Sequence, residues 1–163
     1  LHIMMSDERM VPESSSDNNF SHMTEMISTL GIGNKRILKV DTSLPLEIAA
    51  TQYSSKLSLF VKQNGCLTLA LLGIGPDGHT ASLFRPEDIE KARGEFAISV
   101  PGMPPFDRVS STPETIIKAE KIVFLVVGRE KETVAIKLKN DPGSLIAGQV
   151  VKDAANIEIW YTA

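Results

Sequence analysis

The chain has 163 residues, a formal net charge of −3, ordinary apolar and charged fractions, and one cysteine. That composition suits one globular domain burying about two-thirds of its unfolded surface, and it gives no electrostatic reason to expect nucleic acid. No run approaches the ~20 apolar residues of a membrane span or reads as a secretory leader, and a lone Cys66 permits no internal disulfide, so a reducing, cytoplasmic setting is the expectation.

In chain order, Leu1-His2-Ile3-Met4-Met5 is an apolar run that reads as a buried strand, turning polar at Ser6-Asp7-Glu8-Arg9. Such an opening is expected of a chain whose preceding strand lies elsewhere. Ser14 to Asp17 reads as a loop, with Ser16 or Asp17 the N-cap of a helix that ends at Gly31. Leu46, Ala49, Ala50, Tyr53, Leu57, Phe60 and Val61 recur at helical spacing, and Asn64-Gly65 closes that helix. Leu67 to Leu72 is short, apolar on both faces and followed by Gly73, the pattern of a central strand in a parallel sheet. Phe96 to Val100 is a weaker strand pattern before the proline-rich loop Pro101 to Pro105, and Thr112-Pro113-Glu114 suits a helix start. Ile122 to Val127 is a second buried strand ending at Gly128. A helix from Arg129 to about Lys139 follows, with Val134 and Leu138 inward, and Asn156 to Thr162 closes the chain as a strand. Strands alternating with helices predict one α/β domain over 1–163, a three-layer Rossmann-like arrangement around a mostly parallel sheet.

In such sheets ligands bind at the carboxyl ends of strands, and three segments put polar groups there. Gly73, Gly75 and Gly78 punctuate a loop after a buried strand, where backbone N–H groups can face an anion or a developing oxyanion. His79 stands among them as a candidate general base. The bland reading is a glycine turn with a structural histidine. At Gly128-Arg129-Glu130-Lys131 the basic residues oppose the helix dipole unless an anion binds there; the alternative is a solvated Arg/Lys pair. Arg9 is either a two-point clamp for phosphate or carboxylate or half of a surface ion pair. His2 and His22 read as structural or solvent-facing. There is no G-x-S-x-G elbow, no recognisable zinc set, no G-x-G-x-x-G and no phosphate loop ending in Gly-Lys-Ser/Thr.

Taken together these residues resemble the 6-phosphogluconolactonase family. Leu71-Leu72-Gly73-Ile74-Gly75-Pro76-Asp77-Gly78-His79-Thr80-Ala81-Ser82-Leu83-Phe84 is similar to its most specific motif. Asp7-Glu8-Arg9-x-Val11-Pro12 with Asp17-Asn18-Asn19-Phe20, and Phe124 to Gly128 with Lys131, resemble two others. The resemblance implies hydrolysis of 6-phosphoglucono-1,5-lactone, the second step of the oxidative pentose phosphate pathway, without metal or cofactor. It implies His79 as the base that activates water and Asp7 as a residue orienting histidine, water or sugar. Gly75 and Gly78 would lie against substrate, and Arg9, Lys131 and, by position, Arg108 would hold phosphate and sugar oxygens. It leaves open whether Asp7 or Asp77 supports the histidine, and it allows fusion to or association with glucose-6-phosphate dehydrogenase. Complete members begin earlier, with a strand and a glycine/serine-rich phosphate loop, so this chain is expected to lack its N-terminal part. Two further departures are Arg85 before Pro86, where the family has proline directly after the phenylalanine, and Ser110-Ser111-Thr112-Pro113 in place of a threonine-rich stretch. The rival is glucosamine-6-phosphate deaminase, whose loop histidine precedes Ile-Ala-Phe-Asn-Glu, whereas Thr80 to Phe84 follows here. A non-catalytic sugar-phosphate-binding fragment is the alternative from another class.

Overall fold

The computed structural model describes residues 1–163. The opening apolar run forms a two-residue strand, β1 (Ile3–Met4), and the polar stretch after it is a strand in its own right, β2 (Asp7–Arg9). The first helix starts later than the capping residues suggest. A 3₁₀ turn over Phe20–Met23 leads into α1 (Thr24–Thr29). Ser16 and Asp17 stay in the loop, because the buried Asn18 is the residue whose Oδ1 accepts the Ser21 N–H, at 2.9 Å. The chain then leaves at Gly31, with φ +62°. After β3 (Ile37–Leu38) comes α2 (Leu46–Asn64), which buries Ala49, Ala50, Tyr53, Leu57 and Val61 as the spacing requires. Gly65, at φ +82°, ends it by donating to Val61 O at 2.8 Å.

The second half runs β4 (Leu67–Leu72), α3 (Pro86–Lys91), β5 (Ala97–Val100), β6 (Arg108–Ser111), α4 (Pro113–Ile116) and β7 (Ala119–Val127). Then follow a 3₁₀ turn at Arg129–Lys131, α5 (Glu132–Asn140), α6 (Ile146–Val150) and β8 (Ile157–Thr162). Strand β6 carries no strand pattern in the sequence, because Arg-Val-Ser-Ser offers one apolar residue and its hydroxyls are buried only through tertiary partners. Helices α3 and α6 are likewise too short to develop a period.

The fold is α/β, and three of its five strand pairings are parallel: β1 with β3, β4 with β7, and β7 with β8. The antiparallel pairings unite β2, β6 and β5, with Asp7 opposite Ser110 and Arg9 opposite Arg108. The expected central strand Leu67 to Leu72 is parallel but lies at the edge of its sheet, whose order is β4-β7-β8. Its outward residues Leu69 and Leu71 are exposed, as are Leu125, Val127 and Trp160 on the same sheet face. The helices pack on the opposite face. There Leu72, Ile122, Phe124 and Val126 meet Val134, Leu138 and Leu145 in the larger core. A smaller core under α2 joins Met5, Val40, Tyr53, Leu57, Ala97 and Val109, and Tyr53 donates its hydroxyl to Met5 O at 2.7 Å. No helix is long and apolar enough to cross a membrane.

Candidate active site

The loop after β4 is built by its own hydrogen bonds. Gly75 N–H donates to His79 O and Gly78 N–H to Gly75 O, each at 2.9 Å, while His79 N–H reaches Asp77 Oδ1 at 3.3 Å. These three donors are therefore spent inside the loop, which corrects the expectation that they face an anion. What the tight loop does is seat a side-chain pair: His79 Nδ1 lies 2.6 Å from Asp77 Oδ1. Asp77, not Asp7, is thus the carboxylate on the histidine. Partial burial pulls the Asp77 carboxyl up, but the bonds from the His79 ring and backbone N–H outweigh it and hold the group below its ordinary value. With Asp77 accepting at Nδ1–H, the Nε2 of a neutral His79 is left as the basic nitrogen.

The two glycines expected to contact substrate serve this geometry in different ways. A Cβ on Gly75 would sit 2.2 Å from His79 Nδ1, so only glycine leaves room for the ring. Gly78, at φ +88°, faces the core instead of the cleft, where a Cβ would lie 2.6 Å from Leu145 Cδ2. Its carbonyl accepts the Ala147 N–H at 2.8 Å. Ala81 takes the left-handed region, φ +49°, without being glycine. Its neighbours hold it there, Thr80 Oγ1 on Gly73 O at 2.8 Å and Ser82 Oγ on Asp7 Oδ2 at 2.7 Å.

Asp7 also accepts Ser6 Oγ at 3.0 Å, so its carboxylate stitches β2 to the histidine loop. The adjacent Glu8 is buried and takes three backbone donors, from Arg9, Asn19 and Phe20, at 2.7 to 2.9 Å. Burial pushes its carboxyl up in spite of those bonds. In the fold it anchors the loop that follows β2, a role its neighbours in sequence do not announce.

These elements converge on a cleft of about 350 Å³ lined by Ser6, Asp7, Gly73, Gly75, His79, Thr80, Ala81 and Lys131, among others. Lys131 reaches it from the turn after β7, the next strand in the sheet. Gly128 makes that turn at φ +104°, and a Cβ there would meet Glu130 Oε1 at 2.3 Å. Arg9 and Arg108 do not line the cleft. They stand opposite each other on β2 and β6, and Arg9 Nη1 donates to Asp17 O at 3.1 Å. Both have a buried Nε with no partner. Burial, and then the neighbouring Arg9 charge, hold Arg108 below its ordinary value. Another hollow of about 380 Å³ lies over α1, but it is one helix face lined by His22, Glu25, Met26, Thr29 and Leu30, with no convergent chemistry. His22 and His2 are exposed, and His2 packs edge-on against Phe60.

Phe84 and Ser82 owe their places in the site to contacts made across the fold, and Asp77 to its bond with His79. Only Asp77 left a usable signal, its position two residues before the histidine.

Residues 1–157 match the family model described as glucosamine-6-phosphate isomerases/6-phosphogluconolactonase. The chain is 36% identical over 132 residues to a 6-phosphogluconolactonase of Thermotoga maritima, covering 80% of this chain and 59% of that one. It is 29% identical over 160 residues to the Rattus norvegicus 6-phosphogluconolactonase, covering 95% and 62%. The crystal structure of the Thermotoga maritima 6-phosphogluconolactonase superposes with a TM-score of 0.80 at 30% identity, over 99% of this chain and 72% of that one. The chain thus spans about three-fifths of the length of these two relatives.

Proposed function

The chain belongs to the family of glucosamine-6-phosphate isomerases and 6-phosphogluconolactonases, and on that premise we propose that it hydrolyses 6-phospho-D-glucono-1,5-lactone to 6-phospho-D-gluconate. The observation that carries this reading is His79, its Nδ1 held by Asp77 at 2.6 Å, in a cleft it shares with Lys131. Residues 1–163 are read as the greater part of one lactonase domain. The deaminase alternative is disfavoured by Thr80 to Phe84, which follow the histidine without that family's glutamate.

In the proposed reaction, water attacks the lactone carbonyl carbon while His79 Nε2 takes its proton. The tetrahedral oxyanion then collapses, the bond from that carbon to the ring oxygen breaks, and His79 returns the proton to the departing oxygen. The open-chain acid ionises and releases one proton to solvent. A lactone is an activated ester, so one base and a cation for the oxyanion suffice, each worth roughly 10²–10³-fold. Lys131 supplies positive charge for phosphate and sugar oxygens from the cleft wall, the Arg9–Arg108 pair adds to it from outside the cleft lining, across Phe84 from His79, and binding of the remote phosphate orients the carbonyl. Asp7 holds the loop through Ser82 and borders the cleft, where it can receive a sugar hydroxyl or the water. The residues named need no metal or cofactor for these steps. The substrate is the product of oxidising glucose 6-phosphate at its anomeric carbon, so fusion to or association with that dehydrogenase, in the cytoplasm, belongs to the same proposal.

The test adds freshly prepared 6-phosphogluconolactone to the chain and follows proton release above the spontaneous rate. His79→Ala is expected to lower the catalysed rate about 100-fold or more, as loss of a general base does. An unchanged rate in a folded variant overturns the mechanism. Binding of 6-phosphogluconate without turnover by the unaltered chain would make it a phosphosugar-binding fragment instead. Lys131→Ala should weaken that binding; unaltered affinity removes the phosphate role.

A further inference from the structure

We propose that Phe84 is a positioning residue that sets the plane of the His79 imidazole and couples it to Arg108, so that base and anion-binding cation address one substrate. The inference rests on the lactonase reading for its kinetic consequence, though not for its spectroscopic one. The Phe84 ring lies 4.3 Å from the imidazole, centroid to centroid, with the planes tilted by 41°. Arg108 Cζ lies 5.5 Å from the centroid of the same ring. One phenyl group therefore touches both the proposed base and a guanidinium that has no carboxylate within ion-pair distance.

Each member of this stack is held from a different direction. Asp77 fixes the Nδ1 edge of His79 but is itself largely exposed, so one hydrogen bond leaves the ring free to pivot about it. The phenyl contact removes that freedom. Phe84 is in turn held by its backbone: the buried Asp88 accepts its N–H at 3.0 Å and that of Arg85 at 2.9 Å, at the start of α3. Its ring packs against the larger core. The ladder fixes the Arg108 backbone opposite Arg9, and although Asp17 already engages Arg9 Nη1, both buried Nε atoms lack a partner, which leaves the pair capacity for an anion. An anion captured by this pair moves the Arg108 guanidinium against the phenyl face, and the phenyl ring transmits that change to the imidazole. Phosphate occupancy and base orientation are then linked through one aromatic side chain.

The experiment uses the 163-residue chain with Phe84→Leu and, as the conservative control, Phe84→Tyr. By NMR, inorganic phosphate should shift the His79 ring resonances in the unaltered and Tyr chains and leave them unmoved in the Leu chain. Kinetically, Phe84→Leu should lower kcat by about tenfold or more on both 6-phosphogluconolactone and unphosphorylated glucono-1,5-lactone, through misplacement of the base. Phe84→Tyr should restore it. A folded Leu variant with unaltered kcat, or with an intact phosphate response at His79, overturns the proposal. So does an unaltered chain whose His79 resonances ignore phosphate. If no lactone is turned over, yet the phosphate response depends on Phe84, the coupling stands and the lactonase reading alone falls.

Discussion

The two three-stranded sheets solve the problem of burial in opposite ways. In β4-β7-β8 the central strand buries Ile122, Val123, Phe124 and Val126 completely, and the contacts are apolar and parallel. In β2-β6-β5 the buried set includes Glu8, Ser99, Ser110 and Ser111, and the strands are antiparallel. Each of those polar groups has a partner: Ser99 Oγ donates to Glu47 at 2.7 Å, Ser111 Oγ to Met5 O at 3.2 Å, and Ser110 Oγ accepts the Ser82 N–H at 3.1 Å. The apolar sheet carries its chemistry on loops at strand ends, His79 and Lys131. The polar sheet brings Asp7 to the cleft on the strand itself, with Arg9 and Arg108 paired on the same ladder outside the cleft lining. The cleft lies where the two meet, so a rigid platform and a directional network together set the distance between groups that neither holds alone.

Perturbing each side in turn breaks or sharpens this contrast. The largest effect is expected from Phe124→Ala, which should cost about 3–5 kcal/mol of stability as a buried aromatic is removed from a packed core. Urea unfolding reads it, and a loss under about 1 kcal/mol would mean the platform is not held by apolar packing. Gly75→Ala comes next and acts on function. With a Cβ 2.2 Å from His79 Nδ1, the ring must leave Asp77, and the proposed lactone turnover should fall about 100-fold while the urea midpoint hardly moves. Equal losses of turnover and stability would instead make Gly75 a structural residue.

On the polar side, Glu8→Ala strands three backbone donors and should cost about 1–3 kcal/mol. Hydrogen exchange at Asn19 and Phe20 should rise with it, and unchanged protection would refute the anchor. The smallest effect concerns pH. Because Asp77 is held below its ordinary value of 3.8, its bond to His79 stabilises the fold above that pH, and the contribution disappears as pH falls through the lowered value. The carboxylate is mostly exposed, so the change should be only a few tenths of a kcal/mol. Comparing urea midpoints at pH 6 and pH 3 reads it, and Asp77→Asn should abolish the difference attributable to this pair.

Much of the molecule is legible in the sequence where local chemistry is decisive. Helix α2 follows from a long repeat of apolar residues ended by a glycine at positive φ, and β7 from a run that only burial explains. The histidine loop announced itself through glycine spacing and its place after a strand. Strand β6 did not, since Ser110 and Ser111 become buried only because Asp7, Ser82 and Met5 arrive from distant positions. The same holds for Glu8, which is buried only because the loop at Asn19 and Phe20 folds over it.

By itself, then, the sequence determined the alternation of strand and helix, the histidine and its glycines, and the family motifs, because periodicity, turn chemistry and motif spacing are properties of neighbouring residues. Only the tertiary structure decided that Asp77 rather than Asp7 holds the histidine, that Gly78 faces Leu145, and that Phe84 lies between His79 and Arg108. It also decided that one face of β4 stays open. These facts depend on directions and distances between side chains far apart in the chain, and no local preference encodes them.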